Sequence, residues 1–370
     1  MGSSAFKCTI DEIFSAACIT INGAHPFDIS INDKRFYNRV MRDGSLGLGE
    51  SYMEGWWDCE SLDEFFCRLM SSRAEDKVKN NCILFLRSLI GNVNSKVRAF
   101  QIGERHYDLG NDLFQKMLDR RLTYSCGYWK GVDNLDKAQE AKLDLTCRKL
   151  GLRPGDRILD IGCGWGSLVK YAAERYGVEA VGITVSKEQA LYAKDVCSGL
   201  PVEIRLQDYR DLNEDFDHIV SVGMFEHVGH KNHRAYMEIV RKCLRDGGLF
   251  LLHTIGETCT KMYNEPWIDK YIFPNSLIPS AKQVSGAIEK IFVMEDLHNF
   301  GAYYDPTLIS WFNNFNRNWD SLKKRYGDRF YRMWKYYLLS SAGTFRARCL
   351  QVWQIVLSKD GVLGGYNPVR

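Results

Sequence analysis

From Arg157 onward the apolar positions of this chain alternate between two periods. Ile158-Leu159-Asp160-Ile161 is an apolar run of strand length behind the turn signal Pro154-Gly155-Asp156, and Ser167-Leu168-Val169-Lys170-Tyr171-Ala172-Ala173 follows with helical spacing. Between them stands a cluster of small residues, Gly162-Cys163-Gly164-Trp165-Gly166. The pattern predicts a strand, a glycine loop and a helix. Glycines serve where the backbone turns at positive φ and a ligand approaches without a Cβ in the way, with helix N–H groups facing it. Ala180 to Val185, Val202 to Leu206, His218 to Val222 and Leu249 to Ile255 read as further strands, separated by helical stretches such as Ala190 to Val196 and Arg234 to Leu244. Ile291 to Met294 and Leu350 to Leu357 complete the set. The expected class is α/β: a parallel sheet with helices on both faces and a ligand at the carboxyl ends of its strands. The polar clusters fall at those ends, with Thr184 after the second strand, Asp208-Tyr209 after the third, Glu226-His227 after the fourth and His253 in the last part of the fifth.

The first 90 or so residues follow no such rhythm. Ile19 to Gly23 and Phe27 to Asp33 resemble strands ending in turns. In Gly44 to Asp58, spaced glycines beside Trp56-Trp57 predict either a tightly packed structural corner or a surface for lipid or a partner. Lys77 to Phe100 is basic and amphipathic, a pattern that suits both an anionic membrane surface and an ordinary helix with its cations in water. Gly91 to Ser95 has linker composition. The expected organisation is therefore an N-terminal domain over 1–90, a linker over 91–104 and a catalytic domain over 105–370, interrupted near 257–290 by an insertion placed to cover the site. Leu308 to Tyr337 reads as an aromatic-rich helical region.

Composition narrows the partners. At 370 residues with 45% hydrophobic side chains the chain is globular and large enough for a second, smaller domain. Lys+Arg 49 against Asp+Glu 46 leaves a net charge of only +3, without a basic block suited to nucleic acid. The 12 cysteines show no paired spacing, so free thiols are expected and no metal. The longest apolar runs, such as Ile83 to Leu86, are too short to span a bilayer, which makes any membrane contact peripheral. Cys126, in Leu122 to Trp129, has no partner at fixed spacing and reads as a buried inert thiol rather than a nucleophile.

Two cofactors suit the glycine loop. A dinucleotide fingerprint needs G-x-G-x-x-G and an acid about 20 residues on. Here Ser167 takes the place of the third fingerprint glycine and Thr184 lies in the region of the acid, which disfavours a nicotinamide cofactor. Asp160-x-Gly162-x-Gly164-x-Gly166 instead resembles the cofactor loop of S-adenosylmethionine methyltransferases, implying a Rossmann-like class I methyltransferase sheet.

The resemblance narrows with Tyr124-Ser125-Cys126, Gly182 to Ser186 with Gln189, Phe225-Glu226-His227-Val228-Gly229, Leu252-His253-Thr254-Ile255 and Phe345-Arg346-Ala347-Arg348, all similar to the cyclopropane fatty acid synthase family. The family implies transfer of methylene from S-adenosylmethionine to a cis double bond of an unsaturated phospholipid acyl chain. It implies bicarbonate as the base, held by Cys126 and Ile255 through their backbones and by Glu226, His253 and Tyr304. It implies cofactor contacts from Tyr124, Ser125, Gly162, Gly164, Thr184, Gln189, Asp208 and Tyr209, with the last pair around the adenine. Plainer readings stand beside these: His253 as a core histidine, Tyr304 as a packing aromatic, Glu226 as a helix-start carboxylate, and Gln189 as half of an S-x-x-Q capping box with Ser186. A homodimer that attaches peripherally to the inner face of the cell membrane from the cytoplasm also follows from the resemblance. The alternatives are a lipid methyltransferase of the same family that stops at a methyl branch, and a non-catalytic lipid-binding protein.

Overall fold

The computed structural model describes residues 3–72 and 110–370. The amphipathic stretch Lys77 to Phe100, the expected linker at 91–104 and the run beginning at His106 lie outside these residues. By packing, the chain divides into two units that do not follow a single cut in the sequence. One takes in the described residues of Met1–Gly91 together with Tyr263–Pro274 and Tyr304–Leu350; the other takes in those of Asn92–Met262, Asn275–Tyr303 and Gln351–Arg370.

The second unit is built on a seven-stranded sheet. Its strands are β3 (Arg157–Ile161), β4 (Glu179–Thr184), β5 (Val202–Leu206), β6 (Phe216–Val222), β7 (Leu244–Glu257), β8 (Val293–Asn299) and β9 (Leu350–Ser358), in the spatial order β5-β4-β3-β6-β7-β9-β8. The pairs among β3 to β7 are parallel, and β8 pairs antiparallel with β9. Successive residues feed opposite faces, as strand geometry requires. Ile158, Val220, Leu251 and Val356 join one buried cluster, while Leu159, Ile219, Phe250, Leu252 and Ile355 join the other. Helices α5 (Leu135–Leu150), α6 (Ser167–Tyr176) and α7 (Lys187–Val196) cover the first face. Helices α8 (His233–Cys243) and α10 (Ala281–Ile288) cover the second. The expected doubly covered α/β sheet is therefore present, and its local signals hold. Asn134 caps α5 by accepting from the Lys137 N–H at 3.0 Å, and Gly151, at φ 64°, ends it in the left-handed region only glycine enters freely.

The first unit is an aromatic-packed helical body. Helix α2 (Arg35–Met53) carries a non-helical Gly44 at φ 57°. The chain then turns at Gly55, and Trp57 is fully buried against Phe36, Tyr52, Phe65 and Tyr336. That stretch is thus the structural corner that its glycines and tryptophans predict. The strand expectation for Ile19 to Asp33 is met only by the pair β1 (Ser30–Ile31) with β2 (Trp57–Asp58) and a bridge from Ile21 to Ile29. The buried Asp28 carboxylate accepts from the backbone N–H groups of Thr20 and His25, which bends the segment around itself instead of extending it.

The long helix α12 (Trp319–Arg346) belongs with this body rather than with the sheet, contrary to the expected 105–370 domain. The reason is close fit: a Cβ at Gly343 would lie 2.3 Å from the Asp63 carbonyl oxygen of helix α3 (Leu62–Ser71). The insertion near 257–290 is likewise divided. Helix α9 (Pro266–Tyr271) sits in the first unit, where Trp267 packs on Tyr336 at 4.6 Å, while Val284 and Ile288 of α10 are part of the sheet core.

Candidate active site

At the carboxyl ends of β3, β4 and β6 the loops enclose a cavity of about 160 Å³. Its floor is the glycine loop. Gly162 and Gly164 stand at φ 88° and 56°, and a Cβ at Gly162 would meet Met224 at 2.8 Å, so the positions need glycine both for the turn and for the space. The N–H groups of Gly162 and Cys163 both donate to the Ile183 carbonyl, tying the loop to β4.

The residues expected around the cofactor converge on this cavity: Tyr124, Ser125, Thr184, Gln189, Asp208 and Tyr209 all line it with the two glycines. The Thr184 hydroxyl donates to Gln189 Oε1 at 2.8 Å and accepts from the Ser186 N–H at 3.2 Å. The Ser186 hydroxyl caps helix α7 by accepting from the Gln189 N–H, but Gln189's side chain turns to Thr184, so only half of the S-x-x-Q capping box forms. Asp208 accepts from the Arg210 backbone N–H and from its guanidinium, each at 2.9 Å, leaving further lone pairs on both oxygens. Tyr209 is buried edge-on against Tyr236 at 5.0 Å.

One ionisable group lining the cavity escapes the sequence reading, and burial sets the state of a second, Asp160 of the glycine-loop motif. Lys142 is 1% exposed, and its Nζ donates to the Ser125 hydroxyl at 2.8 Å. Burial brings its pKa down to about 8, with the Asp119 carboxylate opposing the shift. Asp160, from β3, is 2% exposed with Oδ1 unpartnered; burial pushes it up to about 7 against the pull of Lys142. His227 also lines the cavity and is held near 4, hence neutral, by burial. Lys142 was legible in principle. Gln139, Lys142, Thr146 and Lys149 recur at helical spacing within α5, and all four are buried. A polar stripe on a helix face that also buries Leu135, Leu143 and Leu150 marks a site rather than a solvated surface.

Deeper in the same unit lies the expected base cluster. Glu226, in a short 3₁₀ turn after β6, is 6% exposed. Its Oε1 accepts from the Ile255 N–H at 2.7 Å, and its Oε2 is buried without a partner. Burial raises its pKa to about 7 despite that backbone donor. The turn is anchored by the Leu277 N–H donating to the Glu226 carbonyl at 2.7 Å. His253, 2% exposed on β7, pairs in register with Val222. Burial first, then the fields of Lys142 and Lys149, hold it well below the usual imidazole range, so it is neutral. Its Nδ1 lies 3.4 Å from Gln354 Nε2 on β9, and its ring meets Phe300 edge-on at 5.6 Å. Cys126 is fully buried, with its thiol donating to the Gly127 carbonyl at 3.3 Å, in keeping with an inert thiol.

Two of the expected base ligands differ from the simplest picture. The Ile255 N–H is taken by Glu226, and the Ile255 carbonyl accepts from the Thr254 hydroxyl at 3.0 Å, which leaves that oxygen a second lone pair. Tyr304 belongs to the first unit, where it heads helix α11 (Tyr304–Arg317) and stacks on Phe345 at 4.5 Å.

A model of the mycolic acid cyclopropane synthetase family matches residues 94–355. The cyclopropane-fatty-acyl-phospholipid synthase of Escherichia coli (strain K12) is 51% identical over 363 residues, which span 97% of this chain and 95% of that protein. Among solved structures, the cyclopropane synthase MmaA2 from Mycobacterium tuberculosis matches with a TM-score of 0.67 at 32% identity, covering 70% of this chain and 98% of that one. The mycolic acid cyclopropane synthase CmaA1 complexed with SAH and CTAB matches with a TM-score of 0.66 at 31% identity, with the same coverages of 70% and 98%. With its glycine loop, cavity and sheet agreeing, the chain belongs to the mycolic acid cyclopropane synthetase family and is an S-adenosylmethionine-dependent methyltransferase.

Proposed function

We propose that the protein transfers a methylene group from S-adenosylmethionine to the cis double bond of an unsaturated phospholipid acyl chain, closing a cyclopropane ring, with bicarbonate as the general base. The single observation that carries this reading is the buried pair Glu226 and His253, the carboxyl raised to about 7 with one oxygen unpartnered and the imidazole neutral, in a methyltransferase of this family whose glycine loop borders a cavity fit for the cofactor. An ordinary methyl transfer to oxygen or nitrogen needs a base for the nucleophile. An alkene has no such proton; here a proton leaves the transferred methyl after attack.

S-adenosylmethionine, when bound, supplies the electrophilic methyl. The glycine loop leaves room for it against Gly162, and Tyr124, Ser125, Thr184, Gln189, Asp208 and Tyr209 offer hydroxyl, amide and carboxylate groups to its polar ends. Bicarbonate, when bound, supplies the oxygen base. Glu226 suits such an anion because in its neutral form Oε2 carries a proton and donates, whereas a carboxylate would repel it. His253 donates through its ring, and the backbones of Cys126 and Ile255, with the Tyr304 hydroxyl, complete the proposed set. Burial keeps water from the cation that forms on the acyl chain, and aromatic faces lower its energy.

On this reading the protein works at the cytoplasmic face of the cell membrane, attached peripherally, and its N-terminal region contributes lipid association and a homodimer contact. Among the described residues no helix is long and apolar enough to cross a bilayer. The test uses S-adenosylmethionine bearing a trideuterated methyl group and vesicles of defined cis-unsaturated phospholipid. The acyl chain should gain a dideuterated methylene, lose one deuteron to solvent and show cyclopropane proton resonances. A product that retains the intact labelled methyl would replace this reading with methyl branching. Vesicle binding without release of S-adenosylhomocysteine would leave only a lipid-binding protein.

A further inference from the structure

Gln354, fully buried on β9, lies against the His253 ring. Its amide nitrogen has two neighbours: the Thr146 hydroxyl at 3.1 Å and His253 Nδ1 at 3.4 Å. Which end of a carboxamide faces which partner is settled by the hydrogen that each partner has to spare. The Thr146 hydroxyl donates its only proton to the Lys142 carbonyl, four residues back on α5, at 2.8 Å. Toward Gln354 it therefore presents a lone pair, and the amide must turn its N–H₂ end that way. The same N–H₂ end then faces the imidazole, and Nδ1 has to accept. The amide oxygen is buried without a partner, a cost that a residue serving stability alone would not carry.

We infer that Gln354, oriented by Thr146, is a positioning residue that locks His253 in the tautomer with its proton on Nε2. An imidazole so held is a fixed donor at Nε2. A proton on Nδ1 would meet the amide N–H head-on, so the ring can neither take the other neutral form nor readily become doubly protonated. His253 is thereby assigned as a donor toward a bound acceptor, with removal of the substrate proton left to another group. This deepens the proposed function and rests on it only where the acceptor is named as bicarbonate; the tautomer itself follows from Gln354, Thr146 and Lys142.

The experiment reads the ring nitrogens of His253 directly. Long-range proton–nitrogen NMR on full-length enzyme labelled in histidine, assigned with His253→Asn, should show an unprotonated Nδ1 and a protonated Nε2 without cofactor or bicarbonate. Gln354→Glu substitutes an acceptor for the donor and should move the proton to Nδ1. Thr146→Val frees the amide to turn and should give a mixed tautomer, and it decides the matter if the glutamate variant does not fold. In turnover with added bicarbonate, Gln354→Glu should raise the KM for bicarbonate on the order of 10-fold while leaving the Kd for S-adenosylhomocysteine unchanged. A protonated Nδ1 in the parent enzyme, or a tautomer indifferent to both substitutions, overturns the inference. The expected tautomers together with turnover indifferent to bicarbonate would uphold it and overturn the choice of base.

Discussion

Two buried glutamates, one in each unit of the molecule, have opposite surroundings. Glu50 of the first unit is 6% exposed and accepts from Arg39, from Lys270 at 2.6 Å and from the Tyr271 hydroxyl at 2.7 Å. Burial alone would raise its pKa, but these donors bring it down to about 2. Glu226 of the second unit is just as buried, receives a backbone N–H on one oxygen and nothing on the other, and rises to about 7. The difference is what separates a carboxylate that holds a fold together from one that waits for a ligand. The fold has satisfied Glu50; at Glu226 it leaves one oxygen unpartnered, which the proposed function gives to the bound anion.

The sharpest way to break this comparison is to make the same substitution in both places. Glu226→Gln should lower turnover on the order of 10²-fold while the Kd for S-adenosylhomocysteine stays as in the parent. Glu50→Gln should leave turnover per folded molecule unchanged but destabilise the protein by about 3 kcal/mol in urea unfolding, since it breaks a buried, fully paired carboxylate. Swapped outcomes would mean that the roles are misassigned.

The two carboxyls should also respond to pH with opposite signs. Glu226 has a folded pKa near 7 against an unfolded 4.5, so the folded state holds its proton longer. Its stabilising contribution is present below pH 4.5 and is lost as pH rises through 7, by about 3 kcal/mol in all. Glu50 has a folded pKa near 2 against the same 4.5, so its contribution is present above pH 4.5 and is lost as pH falls toward 2. Thermal melts of the two glutamine variants against the parent should therefore change in different windows and with opposite sign: the deficit of Glu50→Gln grows as pH rises from about 2 to 4.5, and the gain of Glu226→Gln grows as pH rises from 4.5 to about 7. Glu226→Gln should become more stable than the parent only above about pH 5.

Smaller effects test the packing around each carboxyl. Gly49→Ala would place a Cβ 2.4 Å from the buried Trp267 ring and should cost about 1–3 kcal/mol without altering cofactor affinity. Cys126→Ala should cost about 1 kcal/mol and leave turnover near that of the parent, because the thiol donates to the neighbouring Gly127 carbonyl and the proposed contact is through the backbone. A large loss of turnover there would make the thiol itself a participant.

How far the sequence was legible follows the same division. The sheet was readable because both of its periods are local: Ile158 and Leu159, adjacent in the chain, face opposite clusters, and Asn134 and Gly151 mark the ends of their helix. The cofactor cavity was readable because it gathers at strand ends, where Thr184, Asp208 and Tyr209 fall. The first unit was not, since an apolar helix face states that it is buried but not against what. Tyr336, 284 residues beyond Tyr52, packs on it and on Phe66, so the N-terminal body is completed by residues from the far end of the chain. Deleting the N-terminal segment would strip Tyr336 of those rings, and point substitutions such as Gly49→Ala are the better probe of that unit. Gln354 was missed because its importance lies in a pair with His253 that no spacing in the sequence announces; for Lys142 the stripe in α5 carries the signal of burial, and only its pairing with Ser125 is silent.

The most direct measurement of the central claim is turnover in bicarbonate-depleted buffer, with bicarbonate then titrated back, for the parent enzyme and for Glu226→Gln. The parent should regain activity with saturation, and the variant should regain little at any concentration while its affinity for S-adenosylhomocysteine is intact. Equal activity of the two proteins throughout the titration would contradict the role given to Glu226, and with it the reading of its unpartnered oxygen.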